Sequence, residues 1–557
     1  MQKNSSKINV QLIAETLINL GVQDIVISPG SRNGALTMQF ANDNRFNCYS
    51  IVDERSAGYV ALGMALETQK PVVVSCTSGS AAANYYPAVT EAFYQNIPLI
   101  VLTADRPAGY ADLFDGQTIR QENLFEKHTY YSTQLQESEE DEILTSNFLE
   151  IKKAVHEAII HSGPVHINMP FSEPLYESID DSLISFDAIG LPKLPNNSID
   201  WEGLKKEYKA IEKVMILVGQ QSPDASLQKL VKEVSAYENV IILTETTSNL
   251  HTGEHISQID AVLRNIKGEM IEAFKPNLLI TLGQRVISKK IKQFLRQNKP
   301  QFHWHVDLHW HPDTYFALSQ KVNLSATSFL SSFLSDFKPK DSNYKNQWLE
   351  IARHNQKSQH TFMQQIPWSD LLVFKEIIAH YPAEYGVHYS NSSVIRYSQL
   401  FKHTEHNPVY CNRGTSGIDG STSTAIGFAM KSKDPIVLVT GDVSFFYDSN
   451  ALWNNYIPAN FRIILINNGG GNIFKIIPGP SKSNALETFF ETRHQLNASH
   501  LATMFGFEYI QVSDGNNLNK VWQNFYAPSK SPKILEINTQ EAPNAETLHQ
   551  FIQVLQN

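Results

Sequence analysis

Two polar turns carry the residues with the clearest capacity for chemistry. Gly441-Asp442-Val443-Ser444 follows the apolar run from Pro435 to Thr440, and Asn467-Asn468-Gly469-Gly470 follows a second run from Arg462 to Ile466. Each run reads as a buried strand ending in a ligand-capable turn. In an open parallel sheet such turns lie at the carboxyl edge, where ligands bind. One helical crossover between the runs brings the Asp442 carboxylate and the Asn468 amide oxygen to a common edge. A carboxylate, an amide oxygen and nearby main-chain carbonyls suit a hard divalent cation such as Mg²⁺, which commonly also takes phosphate oxygens. The pattern points to a diphosphate anchor. The competing reading is two strand ends whose Asp and Asn merely cap helices.

A further acid lies far away in the chain. Val52-Asp53-Glu54-Arg55-Ser56-Ala57-Gly58-Tyr59 leads into Val60–Leu66, a helix-compatible stretch of small and apolar residues. Read locally, Asp53 and Glu54 are first-turn acids favoured by the helix dipole. Read with the anchor, the set resembles the thiamine diphosphate (ThDP) enzymes and their Gly-Asp-x…Asn-Asn motif. The chain departs from the commoner form at Val443, where many members carry a glycine. The resemblance implies that Asp442, Asn468 and the carbonyl of Gly470 bind Mg²⁺, with Mn²⁺ as the alternative. It makes Glu54 the activating glutamate, held against N1′ of the aminopyrimidine. Sharing a proton there promotes the tautomer that removes the thiazolium C2 proton, while the cofactor carries the difficult chemistry. Gly417, Ile418, Gly441, Val443, Ser444 and Ile473 match cofactor-contact positions, Ile418 being the bulky support of the bent cofactor.

More motifs narrow the resemblance. Ser28-Pro-Gly-Ser-Arg32, Asp53–Gly58, Cys76-Thr-Ser-Gly79, Thr103-Ala-Asp-Arg-Pro107, Gln117-Thr-Ile-Arg-Gln121, Asn412–Gly420 and Gly471-Asn-Ile-Phe474 occur in this order. They are similar to motifs of the ThDP-family branch that joins a succinyl-semialdehyde unit, from decarboxylated 2-oxoglutarate, to isochorismate in menaquinone biosynthesis. Those substrates are dicarboxylates. Arginine forks suit carboxylates by donating two parallel hydrogen bonds, and lysine supplies a compact charge. By this resemblance Arg32, Arg106, Lys289, Lys290, Arg396 and Arg413 bind substrate, Ser31, Gln117 and Ser392 add polar contacts, and Ile473, Phe474 and Ile477 form an apolar wall. Lys290 stands where the family pattern often has arginine. Four of these cations also have a plain reading: a solvated helix face for Lys289 and Lys290, a turn for Arg106 before Pro107, a helix start for Arg32.

The elements that must position these residues are legible as alternating strand and helix signals. A chain of 557 residues exceeds one core and suggests about three domains. The expected class is α/β, with three doubly wound, mostly parallel-sheet domains of the ThDP-enzyme type. The boundaries are placed at 1–185 (pyrimidine-binding, with the activating glutamate), 186–345 (central, Rossmann-like) and 346–557 (diphosphate- and metal-binding). The Pro- and Ser-containing passage Leu191–Ser198 and the polar stretch Lys338–Asn346 mark the exits. The first and third units are candidates for distant structural repeats.

Composition sets limits. Hydrophobic residues make up 42% of the chain, and no apolar segment approaches the ~20 residues of a membrane helix. Met1-Gln-Lys-Asn-Ser-Ser-Lys-Ile8 lacks the apolar core of a signal peptide, and Cys48, Cys76 and Cys411 lack metal spacing. A cytoplasmic location is the expectation. A net charge of −10 with interspersed signs argues against nucleic acid as a partner. The alternating histidines in His303-Trp-His-Val-Asp-Leu-His-Trp-His311 resemble a zinc strand, but lack a cysteine partner and are read as part of a half-buried strand. The resemblance also implies a cofactor held between the first domain of one subunit and the third of another, hence a homodimer at minimum, with a homotetramer as the larger alternative. Two rivals stand: another ThDP enzyme, such as an acetohydroxyacid synthase or 2-oxoacid decarboxylase, and a noncatalytic nucleotide-binding scaffold.

Overall fold

Unbroken apolar runs become central strands of three parallel sheets in the computed structural model, which describes residues 3–184, 190–192, 199–404, 407–477 and 479–556. In the first sheet the spatial order is Asn47–Ser50, Asp24–Ile27, Val72–Cys76, Leu99–Asp105, Val165–Pro170, Tyr131–Gln134. In the third it is Val409–Cys411, Gly386–Tyr389, Ile436–Gly441, Arg462–Asn467, Lys533–Asn538, Glu508–Val512. Numbered along the chain, both sheets run 2-1-3-4-6-5, and every pairing is parallel. The two units therefore share one topology, as expected for structural repeats. Between them lies a five-stranded parallel sheet, ordered Val240–Leu243, Val214–Val218, Leu278–Leu282, Phe302–Val306, Gln320–Val322.

Burial explains which strands were legible. Val72–Val74 and Leu99–Val101 are fully buried, and burying each such side chain contributes about 1.5–3 kcal/mol. Strands covered on both faces read as continuous apolar runs. The histidine run forms the strand Phe302–Val306, with His303 and His305 buried. Both rings hydrogen-bond the Thr281 hydroxyl, and burial lowers both pKa values, His303 to about 4. The strand is thus buried rather than half-buried, and its histidines bond across to the neighbouring strand Leu278–Leu282.

The first and third units of one chain dock through helices Glu54–Thr68 and Ser421–Lys431. Glycines allow this approach: a Cβ on Gly63 would lie 2.1 Å from the Thr424 carbonyl oxygen, and one on Gly427 would lie 2.0 Å from that of Val60. The 185/186 boundary and most of the Leu191–Ser198 passage fall outside the described residues. At the other expected boundary, helix Tyr344–Met363 runs across 345/346, and Tyr344, Trp348 and Leu349 pack on the central sheet. No helix among the described residues is long and apolar enough to cross a membrane.

Candidate active site

Strand order reverses between Gly386–Tyr389 and Ile436–Gly441, whose partners lie on opposite sides. Such a reversal opens a crevice at the carboxyl ends of the strands. Ser390–Ser392 follows the first strand, Asp442 follows the second, and Asn468 follows the next strand along, Arg462–Asn467. The topology thus brings the two halves of the anchor to one edge.

Asp442 opens the short helix Asp442–Tyr447 and is buried. Its Oδ2 accepts from the N–H groups of Gly469 (2.7 Å) and Gly470 (2.9 Å), and its Oδ1 from that of Val443 (2.7 Å). These bonds stitch the two turns together and leave carboxylate lone pairs for a cation. His494 Nε2 lies 3.3 Å from Oδ2, and that acid raises the histidine's pKa. Asn468 is buried and donates from Nδ2 to Asp370 Oδ2 (2.8 Å), while its Oδ1 is buried with no partner among the described residues. Gly470 has φ +142°, and a Cβ there would lie 2.5 Å from the Glu491 carbonyl oxygen, so the turn requires glycine. An unpaired buried amide oxygen is costly unless a ligand meets it. The donor set at this edge (carboxylate, amide oxygen, carbonyl) fits Mg²⁺.

The Asn412–Gly420 loop borders this edge and is held from two sides. Asn391 donates from Nδ2 to the carbonyls of Asn412 (2.6 Å) and Gly417 (2.7 Å), and its Oδ1 accepts from Arg413 Nη1 (2.7 Å). From the first unit, the buried Glu91 carboxylate accepts from Gly414 N (2.7 Å), Thr415 N (2.6 Å) and the Thr415 hydroxyl (2.7 Å). Tyr59 donates to Asp419 at 2.7 Å. The Ser444 hydroxyl donates to the Ile418 carbonyl at 2.6 Å, tying this loop to the Asp442 turn.

Glu54 begins its helix and is partly buried, which raises its pKa. Its charge acts on Cys76 and Tyr85, whereas the partners of Asp442 are Val443, Gly469, Gly470 and His494. Its two neighbours dock on the third unit of the same chain: Asp53 Oδ2 accepts from Asn450 Nδ2 (2.7 Å), and Arg55 donates to the Tyr447 carbonyl (3.0 Å). Asp53 also caps the helix through Ser56 N–H.

The remaining residues form two groups. In the first unit, Arg32 is buried, donates to the Phe171 carbonyl (2.9 Å) and feels Arg106 nearby, and burial and that neighbour lower its pKa. Ser31 precedes it, and Gln117 lies against Gly79 with φ +57°. Arg106 donates to the Gly116 carbonyl at 2.9 Å. In the second group, Arg396 lines a cavity of about 180 Å³ with Ser288, Ile473, Ile476 and Ile477. Burial and the nearby Arg413 lower the pKa of Arg396. Nε of Arg32, Arg106 and Arg413 is in each case buried without a partner among the described residues. Ser392, with φ +67°, precedes helix Ser393–Ser398, and Phe474 turns towards Phe490 at 5.5 Å. Lys289 is exposed at the start of helix Lys289–Gln297, while burial lowers the pKa of half-buried Lys290.

Comparison with known proteins agrees with this layout. Residues 9–132 match the N-terminal TPP (thiamine pyrophosphate) binding domain of thiamine pyrophosphate enzymes, and residues 392–537 match the C-terminal TPP binding domain. A 2-succinyl-5-enolpyruvyl-6-hydroxy-3-cyclohexene-1-carboxylate synthase of Flavobacterium psychrophilum is 45% identical over 91% of this chain and 92% of its own. Synthases of the same name from Flavobacterium johnsoniae (43% identical, 98% of each chain) and Porphyromonas gingivalis (37%, 98% of this chain and 97% of its own) match as fully. The chain belongs to this synthase family. As a family member it is a transferase-type enzyme that uses thiamine diphosphate.

Sequence reasoning missed several residues of the candidate site. Asp370, Asn391, Glu91 and His494 reach the anchor or its loop from distant segments. Ser369-Asp370 carries only the signature of a helix start, and Ser369 does cap that helix.

Proposed function

We propose that this enzyme decarboxylates 2-oxoglutarate with ThDP and adds the resulting succinyl-semialdehyde carbanion to isochorismate in a 1,4-addition. The products are CO₂ and 2-succinyl-5-enolpyruvyl-6-hydroxy-3-cyclohexene-1-carboxylate. The observation carrying this reading beyond the cofactor is that Arg32, Arg106 and Arg413 each bury an Nε with no partner among the described residues, as Arg55 and Arg285 also do. A carboxylate meets that need with a charge-assisted bond.

When bound, ThDP supplies the carbon that takes up the 2-oxo carbonyl and holds the electrons left by CO₂. Asp442, Asn468 and the Gly470 carbonyl would hold Mg²⁺ or Mn²⁺ against the diphosphate, with Gly441, Val443 and Ser444 lining the turn. Gly417, Ile418 and Ile473 would border the cofactor, and Glu54 would exchange a proton with its N1′ atom. Raising the Glu54 pKa by burial suits that role, because a proton-sharing acid works best near the operating pH. Arg413 and Arg396 are assigned to 2-oxoglutarate, and Arg32, Arg106 and Gln117 mainly to isochorismate. Ser31, Ser392, Lys289, Lys290, Phe474 and Ile477 complete the substrate surroundings.

The working unit is a homodimer at minimum, or a homotetramer, with the cofactor held between the first domain (1–185) of one chain and the third (346–557) of another. Incubation with ThDP, Mg²⁺ and 2-oxoglutarate, with and without isochorismate, tests the reading through CO₂ release and product mass. A product lacking the isochorismate skeleton would place the chain with the 2-oxoacid decarboxylases instead.

A further inference from the structure

An asparagine can ligate a cation only through its amide oxygen. The amide nitrogen carries two hydrogens and no free lone pair, so rotating the group by half a turn replaces a ligand with a repelling donor. Something must therefore decide which way the Asn468 amide faces. Its Nδ2 donates to Asp370 Oδ2 at 2.8 Å, and its Oδ1 is buried and without a partner among the described residues.

Asp370 is itself held tightly. It is 1% exposed and opens helix Asp370–Ala379. Its Oδ1 accepts from the Thr539 hydroxyl at 2.6 Å, and its backbone N–H donates to Asn544 Oδ1 at 2.8 Å. Asn544 in turn donates to the Thr539 carbonyl at 3.0 Å. An ionised carboxylate only accepts, so whatever faces Asp370 must donate. The amide of Asn468 can meet that demand with one end alone.

We propose that Asp370 is a positioning residue that locks the Asn468 amide with its oxygen towards the cation. The inference rests on Asn468 being a cation ligand. Partners behind metal ligands of this kind typically govern affinity by 10–100-fold. Asp370→Asn removes the constraint, because a carboxamide can donate or accept and tolerates either orientation of Asn468.

The test is the Mg²⁺ dependence of ThDP binding, read by quenching of tryptophan fluorescence, with the melting temperature of the cofactor-free protein as a check on folding. D370N is expected to weaken apparent Mg²⁺ affinity about 10–100-fold without lowering that melting temperature. A purely electrostatic role for the carboxylate would weaken binding whatever stands at position 468. An orienting role vanishes once residue 468 presents oxygen on both sides. Adding D370N to N468D should therefore cause no further loss. Equal losses in both backgrounds, or no loss in the wild-type background, would overturn the proposal. Should D370N fail to fold alone, Asp370→Ser, whose hydroxyl can also donate or accept, replaces it in both backgrounds: a loss of about 10–100-fold with Asn468 and none with N468D upholds the orienting role, and any other pattern overturns it. Asn468→Ala separates the premise, since an unchanged Mg²⁺ dependence in that variant would remove Asn468 from the ligand set altogether.

Discussion

At the scale of single residues, the proposed chemistry divides between one acid and a few cations. Glu54 is placed by its neighbours, with Asp53 and Arg55 docked on Asn450 and Tyr447. Glu54→Gln keeps size and polarity but cannot share a proton in the same way. Exchange of the cofactor C2 proton for deuterium should slow by ~10²–10⁴-fold while ThDP still binds; an unchanged exchange rate would remove Glu54 from the role. The arginines make a separable pair of predictions. Loss of a charged hydrogen bond to a carboxylate costs about 1.5–3 kcal/mol, or roughly 10–150-fold in binding. Arg413→Ala should chiefly weaken use of 2-oxoglutarate, and Arg106→Ala should chiefly raise the isochorismate requirement. Single-turnover CO₂ release with 2-oxoglutarate alone isolates the first step. Equal slowing by both variants there would refute the partition of the pocket.

Elements carry the constraints that hold these side chains. The loop before helix Lys289–Gln297 is pinned by the buried Glu245 carboxylate, which accepts from Ile287 N–H (2.6 Å) and Ser288 N–H (2.7 Å). That loop delivers Lys289 and Lys290. Burial raises the Glu245 pKa from the ordinary 4.5 to about 7. The native state then keeps a proton that the unfolded chain has already released, so this group's contribution to stability falls as pH rises from about 4.5 to about 7 and is level above. The full effect is about 3 kcal/mol at most. Urea midpoints at pH 5 and pH 7.5 should differ less in Glu245→Gln than in the wild type. An identical pH slope in the two proteins would exclude Glu245 as its source.

At the scale of the whole molecule, the proposed site divides the cofactor's needs between the two matching sheets. The first unit holds Glu54, the third holds Asp442 and Asn468, and within one chain the two units dock through the Gly63 and Gly427 crossing. A site shared between subunits makes a sharp prediction. Glu54→Gln and Asp442→Ala should each be inactive alone, the latter through lost ThDP binding. In a mixed dimer one site carries both changes and the other carries neither. Unfolding and refolding the variants together should thus recover about a quarter of wild-type activity by random pairing. Recovery of none, with mixed dimers demonstrated by differential tagging, would mean that each chain builds its own site.

What the sequence alone determined was whatever local pattern encodes. Buried central strands such as Val72–Cys76 and Arg462–Asn467 were legible because burial on both faces demands continuous apolar runs. The turns after them were legible because Gly, Asp and Asn mark strand ends. Four edge strands, Asn47–Ser50, Tyr131–Gln134, Gln320–Val322 and Glu508–Val512, were not, since their residues are mixed in polarity, whereas the apolar edge strand Val240–Leu243 was. Gly386–Tyr389 escaped too, being four residues long with a buried His388. Tertiary structure alone decided that the first and third sheets share one strand order, that Glu91 holds the loop after Arg413, and that Asp370 faces Asn468. The reason is physical: periodicity and turn chemistry report how each residue is buried, but the partner that satisfies a buried polar group comes from a segment hundreds of residues away in the case of Glu91 and is chosen only when the sheets pack.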